Sequence, residues 1–150
     1  MTTTVSLQDL PGLVGADLGR SAYREITQQQ VNLFADATDD HQWIHVDPER
    51  AKDGPFGAPI AHGYLSLALV IPFSEELLQV DGVRTKVNYG LDKVRFPSPV
   101  KVGDRVRMGS TVREVTEVPG GYQITLDNVL EVEGGTKPAV AATTLFRFYA

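Results

Sequence analysis

Between residues 60 and 80 polar side chains almost vanish. Leu65, Leu67, Ala68, Leu69, Val70 and Ile71 leave a helix no solvent face, so this segment is expected to be a helix buried on most sides. Pro72 should kink or interrupt it, and Ser74-Glu75-Glu76 should restart a more amphipathic turn. Upstream, Val31, Phe34 and Ala35 fall at i, i+3 and i+4, the spacing of one apolar helix face. That helix is expected over 27–38, with Thr27 as N-cap and Gln30 at the capping-box position. A second start follows at Asp47, with Pro48 at the first helical position and Glu49 in the first turn. The residues around 7–14 suit a short helix interrupted by Pro11 and Gly12, residues 21–26 a short strand, and residues 52–59 a loop.

Beyond residue 80 the period changes from helical to alternating. Val83, Thr85, Val87, Tyr89 and Leu91 alternate, and Val94 and Phe96 continue on the opposite parity. The slip around Gly90-Leu91-Asp92 predicts a β-bulge. Further strands are expected over 105–118, 122–132 and 138–149, separated by Pro119-Gly120-Gly121 and Gly134-Gly135. The pattern is α+β: one domain over 1–150, with a curved antiparallel sheet wrapped around one long central helix, the hot-dog architecture. Such a sheet leaves edges and an apolar face uncovered, so a homodimer is expected.

Composition narrows the function. The chain has 150 residues, 42% of them hydrophobic and 22% charged, as in ordinary globular domains. A net charge of -5 without basic-aromatic clusters argues against nucleic acid as a partner. The absence of cysteine removes disulfides, thiolate catalysis and zinc-thiolate sites. No signal-peptide pattern opens the chain and no apolar run reaches membrane-spanning length, so no membrane partner is expected and the cytoplasm is the expected location.

The chemistry concentrates in residues 37–48, where Asp39, Asp40, Asp47, His41, His45 and the only tryptophan, Trp43, fall within twelve positions. Asp47 has a capping role in this reading. Asp40 and His45 can converge on one small polar atom such as a water, with ordinary pKa values on either side of the range useful for proton transfer. Trp43 and Ile44 should bury and anchor the loop, and burial would bring both groups toward a working range. The plain alternative is that Asp40 caps a turn and His45 merely packs. Asp40, His41 and His45 could in principle hold a divalent metal, but turn chemistry breaks the helical His-x3-His geometry, and no metal is expected. Gly63 opens the apolar helix, where a free N–H without a side chain beside it suits an oxyanion hole, although a loop-to-helix glycine needs no such role. His62 is expected to pack or hydrogen-bond locally rather than act as a base. Ser66 lacks a nucleophile elbow and is a pocket contact.

These residues resemble the MaoC-like hydratases, the (R)-specific enoyl-CoA hydratase group of hot-dog proteins. Thr38-Asp39-Asp40-His41-Gln42-Trp43-Ile44-His45 is similar to the signature Ser/Thr-Gly-Asp-x-Asn-Pro-x-His, which places the family's catalytic pair on Asp40 and His45. Ala61-His62-Gly63 matches the segment that opens the family's central helix. Asn88 to Val100 and Val102-Gly103-Asp104 also look like the family, so the likeness runs from about residue 26 to the C-terminus. Asp39 replaces the signature glycine, and Gln42-Trp43 replaces Asn-Pro. Substitutions of this kind resemble a nodulation-factor-like subgroup and bear on substrate range.

The resemblance implies reversible hydration of a trans-2-enoyl-CoA to the (R)-3-hydroxyacyl-CoA. Asp40 and His45 would share one water, and the Gly63 N–H would stabilise charge on the thioester oxygen. No cofactor is required, because the acyl-CoA substrate carries its own activating thioester. The acyl chain would run near Tyr64 and Leu65, and the pantetheine arm would meet Asn88 and Arg95 in a dimer groove. Two other functions remain open at this point: an acyl-CoA thioesterase, and a non-catalytic acyl-CoA-binding or dimer-partner protein.

Overall fold

The chain reaches its site in a fixed order of elements. The computed structural model, which describes residues 1–150, begins with β1 (Thr3–Ser6), a 3-10 turn (Leu7–Leu13), β2 (Asp17–Arg20) and β3 (Arg24–Glu25). Pro11 lies inside the 3-10 turn without breaking it, and only two residues of the expected 21–26 strand pair. Three helices follow: α1 (Gln28–Thr38), the single turn α2 (Trp43–Val46) and α3 (Pro48–Lys52). Both anticipated caps form. Thr27 Oγ1 accepts from the Gln30 N–H at 3.2 Å, and Asp47 Oδ1 accepts from the Arg50 N–H at 3.1 Å.

The apolar segment forms two helices, α4 (Gly63–Ala68) and α5 (Val70–Leu77), rather than one rod over 60–80. Pro72 has no N–H to offer the Ala68 carbonyl four residues back, and the helix breaks beside that carbonyl, at Leu69. The helix also stops earlier than expected. Leu78 turns extended and opens β4 (Leu78–Asp81), which pairs in parallel with β1 from Thr3↔Leu78 to Ser6↔Asp81.

Four long antiparallel strands complete the chain: β5 (Thr85–Arg95), β6 (Arg105–Val118), β7 (Gly121–Val132) and β8 (Pro138–Tyr149). The sheet order is β2-β6-β7-β8-β5, with β3 also on β6. Ile124, Leu126 and Leu130 of β7 and Val140, Ala142, Phe146 and Phe148 of β8 share a core with Leu65, Val70, Phe73 and Leu77 of the helices. Each large side chain buried there contributes about 1.5–3 kcal/mol. This is the hot-dog arrangement, with α4 and α5 as the filling. No helix is long and apolar enough to cross a membrane.

Strand β5 is a sheet edge, and its register shifts twice, between Asn88 and Gly90 and between Leu91 and Lys93. The shifts flank the predicted bulge. They turn Asn88 and Leu91 toward the helix, while Lys93 and Arg95 line the opposite side with Asp127 and Val129. Tyr64, Tyr89 and Leu91 stay 75%, 54% and 42% exposed, leaving an uncovered apolar face beside this edge.

Candidate active site

Helix α1 ends in acidic residues that oppose its dipole. Asp39 takes the left-handed conformation there, with φ 61° and ψ 26°, a region that glycine occupies without strain. His41 relieves the crowding: its Nε2 lies 2.8 Å from Asp36 and its Nδ1 3.4 Å from Asp39. The Asp36 hydrogen bond raises the His41 pKa. His41 is thus committed to the end of α1 and contributes nothing to the pair formed by Asp40 and His45.

His45 is placed by α2. Its Nδ1 lies 2.7 Å from the Ile60 carbonyl. A carbonyl can only accept, so Nδ1 carries the proton and Nε2 keeps its lone pair. The Gln28 amide donates to the His45 carbonyl at 2.8 Å, and the Ile60 N–H donates to Ile44 at 2.9 Å, tying α2 to α1 and to the segment before α4. Trp43 and Ile44 are half-buried, and Arg50 stacks over the indole at 4.3 Å. His45 itself is buried. That burial pushes its pKa below 6.5 and His62 pushes it the same way, while the Ile60 bond and Asp40 oppose.

His62 lies against it. The two imidazoles stack at 3.8 Å with 21° between their planes, and the Phe34 ring lies tilted by 50° with its centroid 4.8 Å from that of His62. His62 Nε2 lies 2.9 Å from the Asp40 carbonyl, and His62 Nδ1 is buried without a partner. One polar atom each from Asp40, His45 and His62 fall within 4.8 Å of one another. A water making two hydrogen bonds of ordinary length spans about 4.5 Å, so a single water can bridge the Asp40 carboxylate and the His45 ring. Asp40 is exposed. The burial anticipated for both groups therefore applies only to His45, because Asp40 sits on the open loop after α1. Stacked imidazoles direct their in-plane lone pairs side by side rather than at a common point, which suits proton transfer better than joint metal ligation.

Gly63 is the next residue after His62 and the first of α4, so its N–H has no partner within the helix. A Cβ at this position would come within 3.1 Å of the Phe96 ring. Ser66, Gly63 and Phe96 line a cavity of about 300 Å³ with Phe56 and Ile60. Tyr64 and Asn88 instead line a groove with Leu67, Ile71 and Leu91. Leu65 points into the core and lines neither space, because the broken helix turns it toward the sheet. Arg95 lies beyond the second β5 register shift, away from Tyr64 and Asn88. The structure thus gathers Asp40 and His45 around His62, the chain neighbour of Gly63, with Ser66 beside Gly63 in the cavity, and sets Tyr64 and Asn88 apart in the groove.

Sequence reasoning missed Gln28, Phe34 and Phe96. Gln28 could have been noticed as an amide at the start of α1. Phe96 lies too far along the chain from Gly63 for any local pattern to link them.

Comparison with known proteins identifies the family. A model of the MaoC like domain matches residues 9–133. A 3-hydroxyacyl-thioester dehydratase Z from Mycobacterium tuberculosis is 50% identical over 151 residues and the full length of both chains. The nodulation protein N of Rhizobium leguminosarum is 41% identical over 96% of this chain and 92% of its own. Among solved structures, an (R)-hydratase from A. caviae involved in PHA biosynthesis superposes with a TM-score of 0.73 at 27% identity, covering 89% of this chain and 94% of that one. With an acid-imidazole pair at the mouth of a hot-dog helix and a family model spanning most of its length, the chain belongs to the MaoC-like dehydratases, hydro-lyases that act on hydroxyacyl thioesters.

Proposed function

We propose that the protein reversibly hydrates trans-2-enoyl thioesters, acyl-CoA among them, to (R)-3-hydroxyacyl thioesters. The observation that carries this reading is the closeness of the Asp40 carboxylate to the His45 ring, whose Nε2 the Ile60 carbonyl leaves unprotonated; on this reading the two share one water. His45 takes a proton from that water while Asp40 orients it. The hydroxyl oxygen bonds to C3 as the double bond opens, and the proton taken by His45 is returned to C2 on the same face, leaving His45 neutral again. The Gly63 N–H offers a hydrogen bond to the thioester oxygen as it gains negative charge. Dehydration is the same path in reverse. The thioester acidifies C2, so the chemistry needs neither metal nor cofactor.

On this reading the acyl chain lies in the apolar groove of Tyr64, Leu67, Ile71 and Leu91. That groove opens onto the uncovered face beside β5, which favours a homodimer in which the second copy supplies the missing wall. The test is incubation with crotonyl-CoA. Loss of the enoyl absorbance with recovery of (R)-3-hydroxybutyryl-CoA supports the reading. Release of free thiol with the double bond intact identifies a thioesterase and overturns it.

A further inference from the structure

His62 is the one buried polar side chain left with an unpartnered ring nitrogen, and it lies between both members of the reacting pair. It is 2% exposed, so whatever it does is done through its neighbours. Its Nε2 faces a backbone carbonyl, that of Asp40, which fixes a proton on Nε2 and leaves Nδ1 as a bare acceptor.

We propose that His62 is a positioning residue for the water-activating pair: its Nε2–H fixes the main chain of Asp40, and its face holds the His45 ring. This inference rests on Asp40 and His45 being the pair that handles water. Two contacts made by one side chain set the distance between a carboxylate on the loop after α1 and an imidazole on α2. Besides His62, Gln28 holds the His45 end, and the Gln42 N–H at the start of α2 donates a long 3.5 Å hydrogen bond to the Asp40 carboxylate. Phe34 also packs against the His62 ring. The ionisable groups acting on His45 are His62 and Asp40, one from each side of the site.

Two variants separate the contacts. His62→Phe keeps a flat ring against His45 and removes the donor to Asp40. His62→Gln keeps a donor and removes the plate. Crotonyl-CoA turnover is measured alongside titration of the His45 ring by NMR, which is tractable because the chain has only three histidines. In His62→Phe, kcat should fall about tenfold or more with KM within about twofold. The His45 titration should move to higher pH, because the neighbour that disfavours its cation is gone. His62→Gln should recover part of kcat. A folded variant with wild-type kcat and an unmoved His45 titration overturns the proposal. The NMR readout does not depend on activity, so wild-type protein that turns over no enoyl thioester would refute the proposed reaction while the titration still reports on His62.

Discussion

Replacing Gly63 with alanine should separate stability from activity. The added Cβ would stand 3.1 Å from Cδ2 and Cε2 of Phe96 and 3.3 Å from Cζ, where ordinary contact begins near 3.4 Å. The ring must therefore withdraw by about 0.3 Å to reach ordinary contact. Phe96 is 46% exposed, so it can yield toward solvent instead of straining the core. Gly63 has no positive φ, and alanine is the better helix former by up to about 1 kcal/mol. Fold stability should thus stay level or rise, moving Tm by no more than about 2–4 °C for a chain of this size. Activity should move the other way. The methyl group is fixed beside the N–H proposed to meet the thioester oxygen, and losing an oxyanion donor costs about 10²–10³ in kcat. A fall in kcat/KM of about 10²-fold for crotonyl-CoA is expected, with calorimetry on the same sample. Full turnover would refute the role of Gly63. Loss of activity only alongside a collapse of Tm would refute the steric reasoning.

Two further outcomes follow from the same geometry. His45 must be neutral to accept a proton, and burial sets its pKa below 6.5, so the acid limb of kcat/KM should lie below pH 6.5. The unfolded chain binds that proton at the ordinary value, so the stability contributed by neutral His45 is complete above 6.5 and is lost as pH falls through the folded pKa. An acid limb centred above 6.5 would contradict the assignment. Asp39→Gly should stabilise the protein by about 0.5–1 kcal/mol, because it relieves a left-handed residue and a carboxylate at a helix C-terminus, offset by glycine's greater entropy when unfolded. Chemical denaturation checks this, and a lower midpoint would show that the exposed contact with His41 outweighs the strain.

Much of this was legible in the sequence where the signal is local. Thr27 and Asp47 cap the helices they were expected to cap, and the strands over 105–118, 122–132 and 138–149 appear within a residue of their alternating patterns. Asp39 explains its own departure from the family pattern: the position needs a left-handed residue, and aspartate tolerates what glycine adopts freely. What stayed hidden depends on contacts distant along the chain. The parallel pairing of Thr3–Ser6 with Leu78–Asp81 leaves no local trace, and it is what shortens the central helix. The α2 turn was read as irregular because Pro48 and Asp47 belong to the next helix. The stacking of His62 on His45 joins residues seventeen apart, so His62 was recognised as a local hydrogen-bonding residue without its partner being identified.

The most direct test of the account is the turnover of crotonyl-CoA by Asp40→Asn, His45→Gln and the double variant, each shown to be folded by its Tm. Groups that act on one water lose their function together, so each single variant should lose most activity and the double should be little worse than either. Near-normal turnover in either single variant, or losses that simply multiply in the double, would contradict a shared water.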